Sequence, residues 1–285
     1  MNFSNILAEI EKLDPEVYER TSPRRNIIKN WTRKVSLAAL PFALGSLFNK
    51  AYGQGSTTGV INILNYALTL EYLERNFYQM GLAASNLIPA GAPRTAIETI
   101  YNHETAHVTF LAAAITAAGG TPVADVAGGG SLRFDFSAGK SASMNGPFAD
   151  VFTSYNTFLA VAQTFEDTGV RAYKGQAGAL LGSKDVLTAA LQIHSVEARH
   201  AAHIRSMRRA VGGSLVAGTP KPWITGNQSN IASTLVQASY NGEDNTNQGG
   251  VDVKSISASM DVATESFDEP LDMPAVLAIV NPFIY

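Results

Sequence analysis

The chain has 285 residues, enough for one large domain or two small ones with a sizeable buried core. Hydrophobic residues make up 46% and charged residues 16%, so most of the chain must be packed, and a net charge of -3 with no basic stripe argues against nucleic acid as a partner. With 0 cysteines, disulfides and thiolate ligands are excluded, and any metal site must draw on His, Asp and Glu, a donor set that suits iron, manganese or zinc.

Residues 1–57 form an N-terminal segment with two possible readings. Phe3, Ile6, Leu7 and Ile10 follow the pattern of a short amphipathic helix broken near Pro15. Arg24 and Arg25, followed by Asn26, Ile27, Ile28 and Lys29, look like a twin-arginine export signal. The apolar run Val35 to Phe48 follows, with Ala51-Tyr52-Gly53 as a small-residue cleavage site. Pro41 interrupts that run, and it falls short of the roughly 18 apolar residues that a membrane span needs, so no stable span is expected. The leader is long and acidic for a signal, and Pro23 stands where Ser or Thr is more usual. The competing reading is therefore a helix that docks on the main domain of a cytoplasmic protein; export to the periplasm is favoured.

Apolar residues then recur at helical spacing from Val60 to Leu82. After a loop over 83–92, Pro93 suits the first turn of a second helix running to about Ala118, where Gly119, Gly120 and Pro122 stop it. Residues 121–147 are rich in Gly, Ser and Ala, with Arg133 to Phe136 as a possible extended piece. A third helix is predicted from Phe148 to about Gln176, and a fourth, capped by Ser183 with Asp185, to near Gly212. The order is hairpin, long crossover, hairpin. Residues 213–285 form a C-terminal extension rich in Asn, Ser, Thr and Gly, whose ending is too apolar for a free tail. Leu271 to Phe283 are expected to pack on the bundle, with a short helix from Met273 to Val280.

The chemistry-bearing residues repeat. All 5 histidines lie in two short segments. Glu104 and His107 are spaced by three, as are Glu197 and His200, which puts each pair on one helix face. In the other two helices Glu71 precedes Tyr78 by seven residues, and Glu166 precedes Tyr173 by seven, almost two turns on the same face. Glu71 to Glu104 is 33 residues and Glu166 to Glu197 is 31, so one helical hairpin is used twice. These four glutamates fall on apolar stripes, where uncompensated carboxylates cost several kcal/mol and repel one another unless protonated or bridged by cations. Glu74 competes with Glu71, but the tyrosine at plus seven aligns Glu71 with Glu166, whereas Glu74 aligns with Gly169. Asp167 points about 100° away from Glu166 on a helix and reads as solvated or capping. His103, His194 and His203 fall outside the pattern and are given surface or supporting roles.

With these motifs, residues 58–212 resemble the ferritin-like superfamily, and more narrowly the bacterial ferritin-like domain proteins related to desiccation-associated proteins. The stretches from Glu166 to Tyr173 and from Phe267 to Val280 are similar to that group. The resemblance implies an all-α, ferritin-like four-helix bundle holding two divalent ions, iron or manganese. Its ligands would be Glu71, Glu104, His107, Glu166, Glu197 and His200, with Glu104 and Glu197 bridging and with Tyr78 and Tyr173 donating to the ligands. It also implies redox chemistry on a small oxidant, dioxygen or peroxide, in stress protection, and allows a homo-oligomer. Ferroxidase activity, peroxide dismutation as in manganese catalases and oxidation of an organic substrate all remain open. Two other readings compete. The bundle could be a metal-free structural or interaction protein, or His103, Glu104 and His107 could form the H-E-x-x-H pattern of a zinc hydrolase.

Overall fold

The protein is described from a computed structural model over residues 57–285. The N-terminal helix, twin-arginine motif, apolar run and cleavage site expected before Thr57 lie outside the described residues.

Four long helices carry the fold: α1 (Thr57–Ala83), α2 (Ala92–Ala117), α3 (Tyr155–Ala177) and α4 (Lys184–Val211). The chain pairs α1 with α2 and α3 with α4, and α1 also packs on α3. This is an all-α bundle of two hairpins joined by a long crossover. Among the described residues the only strands are β1 (Asn247–Gln248) and β2 (Val251–Asp252), paired antiparallel in the tail. None of the described helices is long and apolar enough to cross a membrane.

Two helix ends differ from expectation. The third helix starts at Tyr155 rather than Phe148, because the backbone carbonyl of Asp150 accepts from the amides of Thr153 and Ser154 in a turn, and Ser154 then caps the helix by accepting from the Thr157 amide. The apolar residues at 148 and 152 pack on the core from that turn. At the start of α4, Ser183 occupies the N-cap position without a side-chain cap bond, and Asp185 lies in the first turn, where its charge suits the helix dipole. Gly212 ends α4 at φ 67, a backbone conformation that costs glycine least.

Helix α3 is buried without interruption from Thr157 to Tyr173. One face meets α1 and α4, and the tail covers another. Arg171 donates to the backbone carbonyls of Ser239, Asn241 and Glu269 and pairs with Glu243 at 2.7 Å. Gln163 donates to the Ser229 carbonyl and to the Tyr240 hydroxyl. The short helices α5 (Met260–Thr264) and α6 (Met273–Val280) follow in the tail. Asp272 caps α6, which buries Val276 and Val280 in the core, and Phe283 packs edge-on to Phe165 at 4.9 Å. The extended piece expected at Arg133 to Phe136 is a clasp on the chain end. Phe134 bridges Ile284, and Asp135 donates its amide to the Phe283 carbonyl at 2.9 Å.

Asp167 is buried, not solvated as its position on α3 suggested. It accepts two bonds from Arg205 of α4, at 3.2 and 2.6 Å, and one from Tyr240 of the tail at 2.7 Å. Burying two opposite charges is tolerable only while each has its partner. Asp167→Ala leaves the fully buried Arg205 uncompensated and is expected to cost about 3–5 kcal/mol. Urea unfolding checks this: the midpoint falls while the slope stays that of wild type.

Candidate metal centre

Each of the four helices delivers its polar residues to the bundle axis from an otherwise apolar stripe. On α2, Glu104 and His107 sit among buried Ile97, Ile100, Val108 and Leu111; on α4, Glu197 and His200 sit among Ile193, Ala201 and Ile204. Glu71, Glu104, Glu166 and Glu197 are each 0% exposed. The imidazoles turn the same atom inward. His107 Nδ1 lies 3.0 Å from Glu71 Oε2, 3.0 Å from Glu104 Oε2 and 3.2 Å from Glu197 Oε1. His200 Nδ1 lies 2.9 Å from Glu104 Oε1 and 3.2 Å from Glu166 Oε2.

Two groups of possible ligands result. Glu71, Glu104, His107 and Glu197 offer atoms all within 4.8 Å of one another, and so do Glu104, Glu166, Glu197 and His200. Glu104 and Glu197 belong to both. The geometry thus brings all six predicted ligands together. Glu104 Oε1, Glu166 Oε2, Glu197 Oε1 and His200 Nδ1 meet only these close contacts, without well-directed hydrogen bonds, and Glu197 Oε2 has no polar partner among the described residues. Poorly satisfied buried polar atoms converging from α2, α3 and α4 fit a cation better than they fit one another.

The tyrosines strap the helices crosswise. Tyr78 of α1 donates to Glu166 Oε1 of α3, and Tyr173 of α3 donates to Glu71 Oε1 of α1. Each hydroxyl occupies one oxygen of a carboxylate at one end of the centre and fixes its orientation.

Three features were not legible in the spacing. First, Glu74 is also buried, at 3% exposed, although the alignment with Gly169 had set it aside. The alignment is correct in space, but its consequence is the reverse: a Cβ on Gly169 would lie 3.3 Å from Glu74 Oε1 and 3.4 Å from Glu197 Oε2. Glycine inside a helix costs about 0.5–1 kcal/mol relative to alanine, and here it makes room for two carboxylates. Second, of the surface and supporting roles open to His103, the contact with His200 fits the supporting one. His103 Nδ1 lies 2.9 Å from His200 Nε2, with the rings stacked at 5.2 Å. Burial and the neighbouring His200 hold His103 below its ordinary pKa, so the neutral ring accepts the Nε2–H of His200 and keeps the Nδ1 of that residue aimed inward. Third, a groove of about 760 Å³ between α2 and α4 brings solvent to His200, lined among others by Thr95, Thr99, Arg199, His203 and Ser206. His194 stays apart, bonded to the Val170 carbonyl at 2.9 Å. His103 joins neither ligand group, so the zinc arrangement with His107 is not formed among the described residues.

A bundle of two hairpins with a carboxylate and imidazole cluster on its axis has the arrangement in which helix-bundle proteins can hold metal ions. The family model described as a ferritin-like domain matches residues 59–210, just over half of the chain, and the protein belongs to that family. No curated protein and no solved structure matches the chain.

Without a cation the centre is held by protons. Burial pushes the Glu104 carboxyl up to about 7 against the bonds from His107 and His200. Burial opposes charge on His200, but Glu166 and Glu104 outweigh it and push the imidazole up to about 11. Burial also raises Glu197 well above the carboxylate range, reinforced by Glu104 and Glu71. Glu104 and His200 both bind their protons more tightly in the folded than in the unfolded chain. Their contribution to stability is therefore present at low pH and lost as pH rises, for Glu104 from its ordinary 4.5 through about 7 and for His200 from 6.5 through about 11. The metal-free protein is expected to melt at progressively lower temperature from pH 5 to pH 9, and the metal-loaded protein to lose that trend. Calorimetry on both forms across this range checks it.

Proposed function

We propose that the bundle is a dinuclear carboxylate redox protein that holds two ions of iron or manganese and acts on dioxygen or peroxide in stress protection. The sharing of Glu104 and Glu197 between two ligand groups carries the reading, because two shared carboxylates suit two neighbouring ions and not one. Glu71 with His107 would complete one end, and Glu166 with His200 the other. Four carboxylates and two neutral imidazoles neutralise two divalent cations, a balance that suits a buried site. Such a pair, held by these six residues, would supply two electrons to a small oxidant.

The residues around the centre support small-molecule chemistry. Tyr78 and Tyr173 hold the terminal carboxylates in place. His103 orients His200 and faces the solvent side. The groove between α2 and α4 offers an approach for peroxide. A small apolar cavity of about 20 Å³ beside Tyr173, bordered by Leu64, Leu70, Leu111 and Ile193, suits dioxygen. Among the described residues, α3 is buried from Thr157 to Tyr173 and the tail bonds over it, which favours a small substrate over a bulky one on that face. The twin-arginine motif supports work in the periplasm.

Protein isolated without added metal should carry about two equivalents of iron or manganese. Elemental analysis should find both lost in Glu104→Ala and in His200→Ala, and retained in His103→Ala. One zinc, lost with His103→Ala but kept with His200→Ala, would contradict the reading. The loaded wild type should consume hydrogen peroxide or dioxygen at least tenfold faster than Glu104→Ala, read with an oxygen electrode and a peroxide assay.

A further inference from the structure

We propose that the groove between α2 and α4 binds an organic monocarboxylate, with the anionic head held by Arg199 and His203 beside His200 and the apolar body lying over Ile100 and Met207 toward the start of α2. The residues of the groove carry this inference, which goes beyond the dinuclear reading and stands apart from it.

Size is the first observation. The groove encloses about 760 Å³, within the roughly 300–1,000 Å³ range of small-molecule sites. A water molecule takes about 30 Å³ in the liquid, so peroxide or dioxygen would leave most of this space unused. The room fits an organic molecule.

The walls differ along the length of the groove. His107 of α2 meets Glu197 of α4, whereas Glu104 meets His200, so the two helices run antiparallel. Pro93 therefore lines the groove at the same end as Ala210, and Thr99 and Ile100 line it at the same end as Arg199 and His203. From His200 to Ala210 the groove follows α4 for about 15 Å. Its floor is apolar: Ile100 is buried, and Ala96 and Met207 are half-buried. Methionine adapts its shape to an apolar ligand.

Charge separates the two ends. The net charge of the chain is -3, yet no acidic side chain lines the groove. Arg199 is exposed and bonds to the Ser195 hydroxyl at 3.3 Å; among the described residues it has no carboxylate partner. His203, one turn further on, is exposed on the same helix face. At the other end, the start of α2 and the end of α4 carry partial charges of opposite sign that offset one another. Arg199 thus holds the unbalanced charge. A guanidinium accepts a carboxylate through two parallel bonds, and an imidazole adds a further donor. An inorganic anion would leave the apolar floor uncovered, and a neutral hydrocarbon would leave Arg199 without a counter-charge. A carboxylate with an apolar body satisfies both ends.

Octanoate is the probe, with octanamide as the control for charge and acetate as the control for the apolar body. Isothermal titration calorimetry is run on wild type, Arg199→Gln, and Thr99→Trp, which places an indole in the groove from an exposed position; circular dichroism checks each fold. Wild type is expected to bind octanoate with a Kd of about 1 mM or tighter, and octanamide and acetate at least about tenfold more weakly. Arg199→Gln should weaken octanoate about tenfold and leave octanamide unchanged, and Thr99→Trp should abolish binding. With carbon-13 in the methyls of the 6 methionines, octanoate should shift the Met207 signal, identified by its loss in Met207→Leu. Octanamide bound as tightly as octanoate would overturn the proposal. So would octanoate binding that survives both variants, or that is lost when the metal-free protein is titrated, since either result places the carboxylate elsewhere. A Met207 signal that ignores octanoate but moves with protein concentration would overturn it in favour of a second copy of the chain on this face. Metal content is measured in every sample, and octanoate binding by protein that takes up no metal would contradict the dinuclear reading while supporting this one.

Discussion

Mutual repulsion among buried carboxylates is the constraint on which the rest of the structure depends. Glu71, Glu74, Glu104, Glu166 and Glu197 are buried in one bundle, and among the described residues the basic side chains paired with them are His107 and His200. Such an arrangement is destabilising by itself, since each charge taken from water costs several kcal/mol unless paired. Protons can relieve it in the metal-free chain, and cations relieve it better. The surrounding protein is organised to tolerate the strain in either state.

That tolerance has visible parts. The aromatic cluster of Phe77, Phe136, Phe158 and Phe165 packs against Tyr78, with Phe77 and Phe158 stacked at 4.7 Å. It supplies apolar burial beside the polar centre. The crosswise tyrosine bonds hold α1 and α3 in register. The tail adds a second polar system, in which Arg171, Arg205 and Arg208 are tied to Asp167, Glu243, Gln163 and backbone carbonyls. The partners of these arginines are Asp167, Glu243, Gln163 and backbone carbonyls rather than the clustered glutamates, so their positive charge fastens the tail.

The bundle and six clustered residues were legible because their signals are periodic. A three-residue spacing places Glu104 with His107 and Glu197 with His200 wherever a helix forms, and the near-equal hairpins suggest that both pairs face one axis. What was missed depends on contacts between elements. His103 meets His200 across 97 residues of chain, and Asp167 meets Tyr240 across 73, and no local pattern announces either contact. The start of α3 was misplaced because Phe148 and Phe152 continue an apolar pattern that the Asp150 turn interrupts. Glu74 was set aside because its counterpart is Gly169. Matching residues by repeat finds what two halves share and discards what one half has alone.

The proposed centre would hold two metal ions between Glu104 and Glu197. Anomalous scattering from crystals of the loaded protein, collected at the manganese or iron edge, tests it most directly. Two peaks roughly 3.5 to 4 Å apart, one beside His107 and the other beside His200, are the predicted result. A single peak held by His103 and His107, or none in crystals grown with saturating metal, would contradict it.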